Sequence, residues 1–442
     1  MSSATEDLQT QRAEVYRLQQ QVIALKSSLF GAGEAAPLQK LIDAQNELMK
    51  AERDLVDAEA QAARATSGED AEAAGREAAA PSPAMRSAVT RSAQPAGAGE
   101  RGTTRGVETT GLAVKPRVRM EYVPTGIYHL LSPSVDPLLE CTVKAARSGD
   151  SRHGGRNARR VRVTAYIEDY SARAVETLEV PVEQESAPIL LLPTLFPDRI
   201  SSLYELTRAT LNVLAEDLDS QKVEEHHTYP LWLLARNAAT FEIRNPTTGE
   251  IRDLRHLLGA YVTPNHPAIQ RFLQVTANRR SEHRLAGRLE NATAQAQAIY
   301  DALQHEAAIV YVNSTLTFNP TLGAQGQRVR LPHECLAEKQ ANCLDGSLLF
   351  ASLLEALGLA AAVVLVPGHA LVGWQSGAGE NGWRYLETTM LANQEFDAAT
   401  KAGADLALLY QKRQTEAGAP AHSWFYRLEL SDLRSRRITP LA

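Results

Sequence analysis

From Leu8 onward, apolar side chains recur at Val15, Leu18, Val22, Leu25 and Leu29, alternately three and four residues apart, which traces a narrow seam along one face of a helix. The stretch GAGEAAP at 31–37 breaks the pattern. Beyond it Leu41, Leu48 and Leu55 are each followed three residues later by Ala44, Ala51 and Ala58, small residues that let two helices approach closely. The short connection predicts an antiparallel α-helical hairpin over 5–62. Such a pair either closes on itself as a solvated unit or offers a coiled-coil handle to a protein partner or a second copy.

Residues 63–115 carry hardly any large apolar side chain and read as a disordered linker, because nothing there repays the entropy of ordering. The pattern then shortens to alternating runs such as VRMEYV, LLECTVKAA, RRVRVTAYIE and RATLNVLAEDL, punctuated by turns. They predict an all-β, immunoglobulin-like antiparallel sandwich over 116–236, with a solvated basic hairpin loop at 147–160. After NPTTGE the period becomes helical in DLRHLLGAYV, HPAIQRFLQVTANRR and LENATAQAQAIYDALQHE. A strand (AAIVYVNSTLTF), a helix from 343 to 357 capped by Gly358, and the β runs AAVVLVP, HALVGWQ and WRYLETT complete an α+β unit over 237–442. The hairpin and the catalytic unit are expected to be separable, with a chain beginning near 116 folding alone.

The net charge of −6 and a charged fraction of 22% give no global reason to expect nucleic acid or a membrane surface as partner. No basic start followed by an apolar core is present, so no signal peptide is expected, and no 18-residue apolar span occurs. Three cysteines, Cys141, Cys335 and Cys343, do not suggest a disulfide framework and fit a reducing cytoplasm. Neither the cysteines nor the eleven histidines show a metal-ligand spacing, and no phosphate loop is visible, so neither a metal nor a cofactor is expected.

Candidate chemistry lies at ANCLDGSLLFASLLEALGLAAAVVLVPGHALVGW, 341–374. Cys343 heads an apolar helix with Asn342 as its N-cap, where the positive end of the helix dipole favours a thiolate and backbone N–H groups are available to an oxyanion. His369 opens a strand directly after a Pro-Gly turn, and Glu387 falls on the next strand, where antiparallel pairing can bring its carboxylate to the imidazole. Cys343, His369 and Glu387 are therefore the expected nucleophile, base and orienting acid. Gln340, or Gln327 in QRVRLP, is a candidate further oxyanion donor beside Asn342. Against this stands the bland alternative of a small buried cysteine and a hydrogen-bonded histidine.

The run NCLDGSLLFASLLEALGL, then VPGHALVGW, then WRYLETT resembles the transglutaminase-like cysteine enzymes of the papain-type fold. The resemblance covers roughly 237–442, with its specific part at 340–389, and implies a papain-like α+β catalytic domain with Cys343 as nucleophile, His369 as general base and acid, and Glu387 as third member. This chain departs from the family in carrying Glu where Asp is usual and Ala-Asn where a Gly often precedes the cysteine. The expected function is that of an intracellular thiol hydrolase, a cysteine protease cutting peptide or isopeptide bonds through an acyl-Cys343 intermediate. The alternatives are a transglutaminase-type acyltransferase, and a binding or assembly protein with an inert papain-like domain. The expected partner is a protein or peptide substrate.

Overall fold

The computed structural model describes residues 111–146, 157–281, 283–285, 292–312, 324–377, 382–416 and 422–441, together with positions 10, 11, 14, 17, 18, 21, 44, 47 and 51. Residues 1–101 and 102–442 form two compact units. In the first, the described positions are helical; of the three seam residues among them Leu18 and Ala44 are buried and Ala51 is half-buried, while Glu14, Arg17, Gln21 and Glu47 face solvent. Arg17 is paired with Glu14 one turn before it, at 2.7 Å. The rest of the expected hairpin, the expected linker up to residue 110 and the basic loop over 147–156 lie outside the described residues.

The second unit begins with β1 (Leu112–Val118), β2 (Tyr122–Val123), β3 (Leu139–Ala145), β4 (Ala158–Ile167), β5 (Ala174–Pro181), β6 (Ile189–Leu191), β7 (Thr207–Asp217) and β8 (Lys222–Leu233). They make two sheets, ordered β1-β3-β6 and β2-β8-β7-β4-β5. Every pairing in them is antiparallel except β2 with β8. The period-two pattern explains the burial: Val161, Val163, Ala165 and Ile167 of β4 are fully buried, while Arg160 and Arg162, which flank Val161, are exposed. Across the ladder Val163, Ala165 and Ile167 face Ala215, Val213 and Leu211 of β7. Leu139, Cys141 and Val143 of β3 enter the same core, so both sheets turn an apolar face to one layer. Each fully buried Val, Leu or Ile contributes about 1.5–3 kcal/mol there. The first strand starts four residues before the expected boundary at 116. Leu112 and Val114 are buried, and the Leu112 N–H donates to Glu224 at 2.7 Å, so these residues belong to the sheet.

The remaining elements are β9 (Ala238–Arg244), β10 (Ile251–Asp253), α1 (Pro267–Arg279), α2 (Ala292–His305), β11 (Val310–Tyr311), β12 (Ala324–Arg328), α3 (Pro332–Glu338), β13 (Gln340–Ala341), α4 (Cys343–Ala356), β14 (Ala361–Val366), β15 (His369–Gln375), β16 (Trp383–Leu386), α5 (Phe396–Glu416), β17 (Tyr426–Glu429) and α6 (Leu430–Ser435). The segment DLRHLLGAYV forms a 3-10 helix over Arg255–Tyr261 rather than an α-helix. The expected division at residue 236 falls inside the second unit, whose main apolar core runs from Leu112 to Ile438.

A four-stranded sheet, β16-β15-β14-β17, carries the site. Strand β14 reads AAVVLV, nearly apolar throughout, because both of its faces are covered. Ala361 and Val363 join the core that holds Leu348, Phe350 and Leu354 of α4, while Ala362, Val364 and Val366 join a second core with Ala407 and Tyr410 of α5. The sheet therefore lies between the two helices.

Helix α5 meets the sheet through Gly403. A Cβ at that position would stand 2.7 Å from the Leu386 nitrogen and 2.8 Å from its carbonyl carbon, and the Glu387 N–H donates to Ala399 of the same helix at 3.1 Å. Alanine in place of a helical glycine ordinarily gains about 1 kcal/mol, but here the methyl meets backbone and must push the helix away, at about 1–3 kcal/mol. The second effect wins. Gly403→Ala is expected to lower the urea unfolding midpoint, and an unchanged or raised midpoint would show that the contact is looser than described.

Candidate active site

Cys343 is the first residue of α4, and the helix starts there because Asn342 and Asp345 cap it reciprocally. The Asp345 N–H donates to the Asn342 side-chain oxygen at 2.8 Å, and the Asn342 N–H donates to the Asp345 carboxylate at 3.1 Å. Asp345 is completely buried and also accepts from the Arg330 N–H at 2.8 Å and from its guanidinium at 3.2 Å. Burial pushes its carboxyl up, against these bonds and the Arg330 charge. The cap is thus a buried, charge-balanced network that fixes the backbone immediately before the sulfur.

His369 is the first residue of β15. The Pro367–Gly368 turn sets it there: Val366 pairs with His369 across the turn, and Gly368 has φ +65, a region that residues with a Cβ avoid. Glu387 directly follows β16. Since Val372 pairs with Leu386, continuing the register puts Glu387 beside Leu371, two residues from His369 along the strand and hence diagonal to it. The longer side chain suits that diagonal. His369 Nε2 and Glu387 Oε2 are 2.6 Å apart, and the other carboxylate oxygen accepts from the Thr389 N–H at 3.1 Å and from its hydroxyl at 2.7 Å.

Helix α4 packs across β15 and the turn Thr388–Met390, bringing Cys343 to the imidazole. His369 is hydrogen-bonded to the Cys343 side chain as well as to Glu387. With Nε2 committed to the carboxylate, Nδ1 is the ring nitrogen that serves the sulfur. Close approach depends on Gly346, where a Cβ would stand 2.8 Å from the Thr388 hydroxyl, and that hydroxyl donates to the Cys343 carbonyl at 3.4 Å.

The charges reinforce the geometry. Burial lowers the His369 pKa, but the charges of Glu387 and Cys343 and the hydrogen bonds to both outweigh it and raise the value to about 10. For Glu387 burial pulls upward, and the His369 charge with the bonds from His369 and Thr389 more than offsets it, so its pKa lies below the usual value. His369 is therefore an imidazolium at neutral pH, held between a carboxylate and the sulfur.

Comparison with protein-family models, curated proteins and solved structures finds no match for this chain. The reading of the site rests on its own geometry.

Three expected residues, Cys343, His369 and Glu387, come together. Asn342 is buried at the helix start, its side-chain oxygen engaged by the Asp345 N–H, so its place is that of a cap. Gln340 directs its amide to the Glu338 carboxylate at 2.8 Å, and that carboxylate also takes the Arg330 guanidinium at 2.9 Å. Gln327 lies in β12 opposite Ala239, in a different sheet. Sequence reasoning missed Asp345, Thr388, Thr389 and Tyr311. The first had a signal, an Asn three residues before an acid at a helix start, and the threonines follow Glu387 directly. The Tyr311 phenol lies within the electrostatic reach of Cys343, Glu387 and Asp345.

The other two cysteines are buried. Burial, with Glu140 nearby, pushes Cys141 up to about 12, and burial first, then Asp345, raises Cys335 well above the ordinary thiol value. Among the described residues no cluster of His, Cys, Asp and Glu could hold a metal ion, and no helix is long and apolar enough to cross a membrane.

Proposed function

We propose that this chain is a thiol hydrolase that cleaves peptide or isopeptide bonds through an acyl-Cys343 intermediate, on a transglutaminase-like, papain-type arrangement of helix and sheet. The observation that carries this reading is the single imidazole bonded on one side to Cys343 and on the other to a buried carboxylate, Glu387. That is the constellation of an activated nucleophile.

In this mechanism the Cys343 thiolate attacks the scissile carbonyl carbon, and the carbonyl π electrons move to oxygen. His369 Nδ1 delivers its proton to the leaving amine as the C–N bond breaks, which leaves a thioester and a neutral imidazole. Water then attacks the thioester, His369 takes its proton, and the C–S bond breaks to return the thiolate–imidazolium pair. Glu387 stays ionised throughout and steadies the ring through Nε2. An amine in place of water would make the same intermediate an acyltransferase's. Three free thiols, two of them buried in apolar surroundings, support a reducing compartment such as the cytoplasm. The helical described positions between 10 and 51 support a recruiting or self-associating role for that segment.

The test is alkylation of the folded protein with iodoacetamide at neutral pH, read by peptide mass mapping. A thiolate held beside an imidazolium and open to solvent is expected to react about 100-fold faster than Cys141 or Cys335. Equal rates at the three cysteines would remove the proposal.

A further inference from the structure

We infer that Tyr311 is a catalytic residue of this site, its phenol donating the hydrogen bond that receives the carbonyl oxygen of the substrate as it becomes an oxyanion. The inference rests on the acyl-Cys343 reading above and supplies the donor that Gln340, turned to Glu338, does not provide.

The backbone places Tyr311. Strands β11 and β13 pair in parallel, with Val310 opposite Gln340 and Tyr311 opposite Ala341. The Val310 N–H donates to the Lys339 carbonyl at 2.9 Å, and the Val312 N–H donates to the Ala341 carbonyl at 3.0 Å. Tyr311 is thus clamped beside the residues that lead into the nucleophile, two positions before Cys343, on a backbone whose far side is fixed by the Asn342–Asp345 cap. Its neighbour Val310 is exposed, whereas Tyr311 is half-buried, and the phenol lies within the electrostatic reach of Cys343, Glu387 and Asp345.

Electrostatics define what the phenol does there. Burial, and then the negative charges of Cys343, Glu387 and Asp345, make its proton harder to lose. At every pH at which a thiolate attacks a carbonyl, Tyr311 is a neutral O–H donor among negative charges, and an oxyanion adds one more charge for it to meet. A preorganised donor of this kind, partly shielded from water, stabilises charge that develops in the transition state and does little for a reaction that develops none on oxygen.

That difference supplies the test. Alkylation by iodoacetamide displaces iodide at a saturated carbon and forms no oxyanion, whereas acylation by p-nitrophenyl acetate passes through one. Both are measured on the full chain, wild type and Tyr311→Phe, with free cysteine as reference. Wild-type protein is expected to acylate relative to alkylate far better than free cysteine. Tyr311→Phe is expected to lose about 100-fold in acylation while alkylating within threefold of wild type. Equal losses in both reactions would show that Tyr311 only holds the sulfur, and no loss in either would show that it is a bystander. A wild-type ratio no better than that of free cysteine would show that no donor acts. Each of these three outcomes overturns the inference. Failure of Cys343 to alkylate selectively would instead overturn the proposed function, so the two failures are told apart.

Discussion

Cys343→Ala is expected to lower hydrolysis of any peptide or ester substrate of this protein by about a thousandfold or more, while Cys335→Ala and Cys141→Ala stay within a few-fold of wild type. The three cysteines differ in what surrounds them. Cys343 stands at a helix start, partly open to solvent and bonded to His369, whereas Cys141 and Cys335 are 1% and 0% exposed inside the core. Truncating the buried pair removes packing, on the order of 1 kcal/mol each, and touches no reacting group. Removing the Cys343 sulfur leaves His369 and Glu387 paired with nothing to activate, so the loss should appear with the fold intact. Circular dichroism of Cys343→Ala should match wild type, and turnover should not. Substantial turnover by Cys343→Ala would transfer the chemistry to another residue. Large losses in all three variants would mean that stability, not a nucleophile, is being read.

The parts of the site legible in the sequence are those fixed by local geometry. Asn342 announces a helix start at Cys343, Pro367–Gly368 announces a turn that puts the next residue at a strand start, and Gly358, with φ +73, ends the helix as a left-handed cap would. Glu387 could be placed because strand pairing fixes which residues lie diagonal to one another. Tyr311 could not, since the β11–β13 pairing is parallel and joins segments separated by residues 313–323, β12 and α3. Helix α5 was equally hidden. Its buried face is Phe396, Ala399, Gly403, Ala407 and Tyr410, at helical spacing but largely of small residues, so a pattern of large apolar side chains passes over it. Small residues are there because the helix backbone must approach β16. At the division expected at 236 composition changes, while the ion pairs Arg252–Asp136 and Arg328–Glu205 and one apolar core run across it.

Glu387→Gln is expected to reduce amide hydrolysis by about a thousandfold to ten-thousandfold and to move the alkaline limit of activity toward neutral pH. The carboxylate orients the His369 ring, and its charge is the first-ranked force that raises the imidazole against burial. In wild type the His369 pKa is raised to about 10. Its contribution to folding stability is therefore complete below the ordinary histidine value and disappears as pH rises through about 10. Glu387 is depressed, so its contribution is present above the ordinary carboxylate range and disappears as pH falls through its lowered value. Between these limits the ion pair is intact and the imidazolium is available to protonate a leaving amine. Hydrolysis should accordingly hold through neutral pH and decline near pH 10. Glutamine keeps the volume but removes the charge, and burial then acts on His369 with only Cys343 opposing it, so the imidazolium loses its proton at lower pH. Geometry adds a second loss. A carboxylate accepts on both oxygens, from His369 on one and from the Thr389 N–H and hydroxyl on the other, whereas an amide has a single oxygen. Either the ring or the Thr389 N–H then faces an NH2 group, at about 1–3 kcal/mol for the unmet bond. Rates of amide hydrolysis across pH 4–11 would show both effects. A Glu387→Gln protein with the wild-type alkaline limit and a rate within threefold would mean that the carboxylate neither orients nor charges the histidine.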